Sequence, residues 1–353
     1  MINTTIQPTT SYRYNNSPQF CSRSGIAADK TLRNVEFAGR VVINKITEFL
    51  DKKEILILHQ AIGNADKKSP NYISQLTKVC KYLSPRSNFY INLEDKRIEE
   101  IAASGKPHIF IMNHDHQSKD PKMLCAFNSF LNMEYLRTNQ ASSCPRPRIV
   151  LNEDILLAKN KTDREIFDGI GAVPIDAGII GSNKKANAKQ FIGMLRDFIK
   201  GEANIFIFPE GRNSAKKYAT LEDKFQLGVA EMVQKLADKM PEVYVTPIGF
   251  AYGGPFKGKA DSIYIGKTIT FKKSGKSVSA TCGNADSSHA DEWYKNFFKD
   301  KESAVLTENG VPVEGKGLAN YIGGILCENM RICKEEAKDK RPLKKDKNIL
   351  LIG

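Results

Sequence analysis

The chain has 353 residues, 41% apolar and 26% charged, the ordinary balance of a soluble globular protein with a sizeable core in one large or two smaller domains. A formal net charge of +13 favours anionic partners such as phosphorylated substrates, acidic carrier proteins or anionic lipid, whereas no basic-and-aromatic platform or zinc-finger spacing points to nucleic acid. No apolar run approaches the roughly 20 residues of a transmembrane helix and the polar amino terminus lacks a signal-peptide stretch, so the expectation is a cytoplasmic protein, peripheral at most on the inner face of a membrane.

Residues 1–28 are rich in Thr, Ser, Asn and Gln and read as a disordered tail. From Lys30 to Leu50, Val35, Ala38, Val42, Ile46 and Phe49 recur at helical spacing; a second helix runs through Ile73, Leu76, Val79 and Leu83 and stops at Pro85. Residues 29–100 are thus expected to form an amino-terminal helical layer. Beyond residue 105, short apolar runs alternate with amphipathic helices, the pattern of an α/β fold with a mixed, largely parallel sheet flanked by helices. The expected strands are 108–112, 148–151, 171–176, 203–208, 243–250 and 262–271, and the expected helices are 186–199, 222–239 and 317–338. Residues 101–275 form the expected α/β core and 276–338 a carboxyl-terminal helical extension. Lys338, Lys340, Arg341, Lys344, Lys345 and Lys347 form a basic cluster that, with the tail 339–353, reads as solvated and able to rest on anionic head groups. Seven scattered cysteines without a C-x-x-C pair read as reduced, structural thiols.

The chemistry concentrates where the first core strand ends, in Asn113-His114-Asp115-His116-Gln117-Ser118-Lys119-Asp120-Pro121. Open α/β sheets place their chemistry at the carboxyl ends of strands. A histidine with an aspartate there supplies a general base and the carboxylate that orients it. Three further segments follow in order: Gly171-Ala172-Val173-Pro174-Ile175-Asp176, then Phe208-Pro209-Glu210-Gly211-Arg212-Asn213-Ser214 after an apolar strand, then Val245-Thr246-Pro247-Ile248.

Together these segments resemble the glycerolipid acyltransferase family, whose members move a fatty acyl group from a thioester to glycerol 3-phosphate or lysophosphatidate. The resemblance covers roughly residues 105–270 and extends to Lys224-Phe225-Gln226-Leu227-Gly228, which looks like the family's FKxG helix start. It implies an O-acyltransferase of phospholipid biosynthesis, with acyl-CoA or acyl-carrier protein as donor, a glycerol-phosphate or lysophospholipid acceptor, no other cofactor and no metal. It further implies a histidine base paired with Asp120, an acceptor-binding turn at Glu210 and Gly211, and Arg212 as the leading phosphate ligand. Asn113 and Ser118 join the substrate-binding set. Ser118 and Ser214 read as hydrogen-bonding or cap residues, since neither has the strained G-x-S-x-G setting of a nucleophile.

The chain departs from the family pattern in three places. The family separates its histidine and aspartate by four residues; here His116 is separated from Asp120 by three and His114 by five. Alignment on His-x-Ser selects His116, the favoured base, because residues four apart share a helical face; alignment on Asn113 selects His114. The arginine of the family's second segment is replaced by Ala177, with Lys184 and Lys185 as candidate substitutes, and Arg212 sits one position early. Two other readings stay open: a metal-dependent hydrolase using the H-x-H pair His114 and His116, and a non-catalytic acyl- or lipid-binding relative. Metal sites need three or four ligands and a second shell, and of the remaining histidines His59 and His108 precede the loop while His289 lies far downstream.

Overall fold

The computed structural model describes residues 89–91, 96–115, 120–138, 144–152, 164, 167–175, 184–210, 225–253, 259–282, 307–308, 311–312 and 315–341. The expected tail 1–28, the expected helices at 30–50 and 73–83, and residues 342–353 lie outside these.

The first core strand is the centre of the molecule. Strand β2 (His108–Met112) is buried along its whole length and pairs in parallel with two neighbours. A strand flanked and covered in this way needs apolar residues on both faces, which explains the unbroken run of Ile109, Phe110, Ile111 and Met112. One neighbour is β5 (Ala203–Ile207) and the other β6 (Val243–Ala251). Beyond β5 lie β3 (Arg146–Asn152) and β4 (Ala172–Ile175), also parallel. On the far side of β6, strand β7 (Asp261–Ile265) runs antiparallel, and the short β1 (Phe89–Ile91) pairs in parallel with β7. The order is β1-β7-β6-β2-β5-β3-β4, a mixed and mostly parallel sheet.

Helices cover both faces. Strand periodicity sends Phe110 and Met112 to one face, where they meet helices α1 (Arg97–Ser104) and α2 (Asp120–Arg137) through Ile98, Ile101, Phe127 and Leu131. Ile109 and Ile111 point to the other face, into a core shared by α3 (Lys184–Ile199), α4 (Gly228–Ala237) and α5 (Gly315–Asp339). Helix α5 approaches β6 at backbone distance. A Cβ on Gly249 would lie 1.9 Å from the carbonyl oxygen of Cys333, so only glycine admits the helix there. Among the described residues no helix is long and apolar enough to cross a membrane.

The expected strand 262–271 is two strands. β7 pairs with the distal half of β6 and β8 (Ile269–Ser274) with its proximal half, both antiparallel. The break lies opposite Pro247, which has no N–H to donate to the ladder; its carbonyl instead accepts the Gly266 N–H at 2.8 Å. Strand β8 turns at Gly275 (φ 59°) into β9 (Ser277–Cys282), which pairs with it as an antiparallel hairpin. A separate two-stranded ribbon, β10 (Thr307–Glu308) and β11 (Val311–Pro312), precedes α5.

Candidate active site

Strands β2, β5 and β6 run in the same direction, so their carboxyl ends open onto one edge of the sheet. The segment after β2 turns there, and Asn113 ties it down. Its side-chain oxygen accepts the Phe250 N–H at 2.6 Å, while its amide donates to the Phe250 carbonyl and to Asp115, each at 3.0 Å. The fully buried Asn113 amide thus extends the β2–β6 ladder by one side-chain rung. That geometry suits holding the loop more than contacting a substrate.

His114 follows. Its main-chain N–H donates to Oε1 of Glu210, just past the end of β5, at 2.6 Å. Its ring lies 5.0 Å from that of Phe208, and Nδ1 is hydrogen-bonded to Oδ2 of Asp120. Asp120 is the first residue of α2, where the positive end of the helix favours a carboxylate, and it is wholly buried. The His114 side chain keeps 18% of its exposure. Among the described residues no group takes its Nε2. One ring nitrogen is thus anchored on a buried carboxylate and the side chain is partly exposed.

A third residue completes this arrangement. Tyr252, immediately after β6, donates its hydroxyl to Oδ1 of Asp120. Burial, reinforced by the Asp120 carboxylate, pushes the phenol well above its ordinary range, so it stays protonated and remains a donor. Asp115 turns the other way and pairs with Lys334 of α5 at 2.8 Å. Arg341, just past the end of α5, donates to the Tyr252 carbonyl at 2.5 Å. Of the basic cluster expected to be solvated, Lys338 and Lys340 are exposed, Lys340 pairing with Glu336 at 3.1 Å and lying over the Tyr264 ring, whereas the partly buried Arg341 reaches the Tyr252 carbonyl.

Of the residues singled out in the sequence, the structure brings together Asn113, His114, Asp120 and Glu210. His116, Ser118, Gly211 and Arg212 lie outside the described residues, and Lys184 opens α3. Among the described residues no group of three His, Cys, Asp or Glu side chains is placed to hold a metal ion. Tyr252, Lys334 and Arg341 were not legible as site residues. The available signal was position, since Tyr252 directly follows a buried strand parallel to β2, at the edge where such sheets carry ligands.

Residues 92–251 match the family model described as Acyltransferase. This span is an acyltransferase domain, and it makes the protein an acyltransferase enzyme. None of the curated proteins matches it. The acyltransferase domain spans β2 to β6 and so contains Asn113, His114, Asp120 and Glu210. Tyr252 stands one residue beyond the match, and α5, with Lys334, lies wholly outside it.

Proposed function

We propose that this acyltransferase is an O-acyltransferase that moves a fatty acyl group from an acyl thioester, carried by coenzyme A or an acyl-carrier protein, to a hydroxyl of a glycerol-phosphate or lysophospholipid acceptor, with His114 as its general base. The observation that carries this reading is the orientation of His114, with Nδ1 on buried Asp120 and Nε2 unengaged among the described residues, inside a span that matches the acyltransferase family. The sequence favours His116, which lies outside the described residues; the hydrogen bond to Asp120 is what supports His114 in this reading.

The chemistry then runs as follows. Neutral His114 accepts the acceptor hydroxyl's proton at Nε2 as the oxygen attacks the thioester carbonyl. Asp120 keeps the proton of the imidazole on Nδ1 and stabilises the imidazolium. The tetrahedral adduct collapses, the C–S bond breaks, and the imidazolium returns the proton to the departing thiolate, leaving an ester and a free thiol. No covalent acyl-enzyme is needed. A base so positioned contributes roughly 10²–10⁴-fold in rate. Glu210 holds the His114 main chain and directly precedes Gly211 and Arg212 in the sequence. In this reading Arg212 meets the acceptor phosphate, with Ser118 and Lys184 supporting it. The net positive charge suits an anionic donor, an anionic acceptor and peripheral contact with an anionic membrane.

The test is thiol release from acyl-CoA and acyl-carrier protein against a panel of lyso-acceptors with and without phosphate. Turnover restricted to phosphorylated glycerol acceptors is expected. Binding of thioesters without turnover on any acceptor would replace this reading with that of an acyl-binding relative.

A further inference from the structure

The hydrogen bond between His114 and Asp120 leaves a geometric problem. A carboxylate turns about its last torsion with little preference, so a single bond at one oxygen does not fix its plane. Asp120 is wholly buried, and an imidazole is held at the correct tilt only if its partner is itself held. Oδ1 of Asp120 accepts the Tyr252 hydroxyl, and Oδ2 meets His114, so the two oxygens are fixed from opposite sides.

We propose that Tyr252 is a positioning residue for acyl transfer, its hydroxyl fixing the Asp120 carboxylate so that His114 presents Nε2 to the acceptor, with Arg341, just past α5, bracing Tyr252 from outside the acyltransferase domain. This rests on His114 being the base.

The choice of tyrosine is chemically apt. A lysine or arginine at this place would cancel the carboxylate charge that the imidazolium needs. A phenol orients the carboxylate and leaves its charge in place, provided that the phenol keeps its proton, as burial and Asp120 ensure here. Among the described residues, two neighbouring cations are directed elsewhere: Lys334 pairs with Asp115, and the Arg341 guanidinium donates to the Tyr252 carbonyl. The other charged groups facing the pair among the described residues are Glu210, which accepts the His114 N–H, and Asp261, which accepts the Gly253 N–H at 2.7 Å. Tyr252 is thus fixed at both neighbours, by β6 before it and by Asp261 at Gly253 after it.

The decisive variant is Tyr252→Phe, measured beside His114→Ala. Tyr252→Phe should lower kcat about tenfold and leave KM for donor and acceptor within about twofold, the signature of a lost orientation and not of a lost binding contact. The proton on Nδ1 of His114, identified by its loss in His114→Ala, should shift in the NMR spectrum of Tyr252→Phe. Unchanged kcat overturns the proposal, and so does a reduced kcat with an unmoved Nδ1 proton, which would make Tyr252 merely structural. If His114→Ala keeps its turnover, the base itself is misassigned; if His114→Ala is inactive and Tyr252→Phe fully active, only the positioning role fails. Should Tyr252→Phe not fold, Arg341→Gln serves in its place: a two- to threefold fall in kcat at constant KM is expected, and no change overturns the role.

Discussion

Strand β2 begins with one histidine and is followed, two residues past its end, by another, and the two live under opposite conditions. His108 is buried, stacked against Phe110 and Tyr244, with Nδ1 at 3.0 Å from the Thr246 hydroxyl and the main-chain N–H on Asn204. Burial, helped by the Lys106 ammonium, pushes its imidazole down to about 3. His114 is partly exposed, with a carboxylate on one nitrogen. The same side chain is thus a neutral core element at the amino end of the strand and, in the proposed function, the general base at the carboxyl end. A hydroxyl partner and a dry environment remove a histidine from acid–base chemistry, whereas a buried carboxylate and an open edge place it there.

Several substitutions would break or sharpen this contrast. The largest effect is expected for His114→Ala, which should lower kcat roughly 10³-fold with the far-ultraviolet circular dichroism unchanged. Retained turnover would erase the functional difference between the two ends. Asp120→Asn keeps the shape but replaces an anion with an amide and should lower kcat on the order of 10²-fold; an effect below threefold would show that the carboxylate is not needed.

At the other end the effect is on stability. The unfolded chain binds a proton at His108 near the ordinary value, whereas the folded chain refuses it until about pH 3. The unfolded state therefore holds more protons between these values, so the stabilising contribution is complete above the ordinary histidine value and is lost as pH falls through that window. Urea unfolding at pH 7 and pH 5 should show wild type losing about 2 kcal/mol more than His108→Gln over that step. Turnover per folded molecule should be unaltered by the substitution, and identical pH slopes would refute the burial argument. The smallest effect is expected for Lys334→Met. The Lys334–Asp115 pair is partly exposed at both side chains, so its loss should cost under about 1 kcal/mol in stability and less than about fivefold in kcat.

How much of this was readable in the sequence depended on how local each determinant is. The strand at 108–112 coincides with β2, because a doubly covered parallel strand leaves an uninterrupted apolar run. The helices expected at 186–199 and 317–338 are α3 and α5, extended by a turn or less. The 262–271 strand was misread because its interruption is imposed by Pro247 on a neighbouring strand, not by any residue within it. β9 was overlooked because Ser277-Val278-Ser279-Ala280-Thr281-Cys282 carries little apolar weight and is held chiefly by its hairpin partner. In the candidate site, Asp120 and the two histidines were visible as neighbours in sequence. The pairing of His114 with Asp120 was not, since the spacing departs by one residue for either histidine. Tyr252 and Lys334 meet the loop across 132 and 219 residues of chain, distances at which no local pattern operates.

The contact at Gly249 has a further consequence. α5 rests directly on the β6 backbone, Lys334 within it pairs with Asp115, and Arg341 just beyond it holds the Tyr252 carbonyl, so residues 113–115 should open together with that helix. The two should behave as one cooperative unit in native-state hydrogen exchange, with the amides of Asn113 and His114 released at the same free energy as those in the middle of α5. The edge of the sheet that carries the candidate active site would then be among the last parts of the molecule to come apart, although active-site loops are usually among the first.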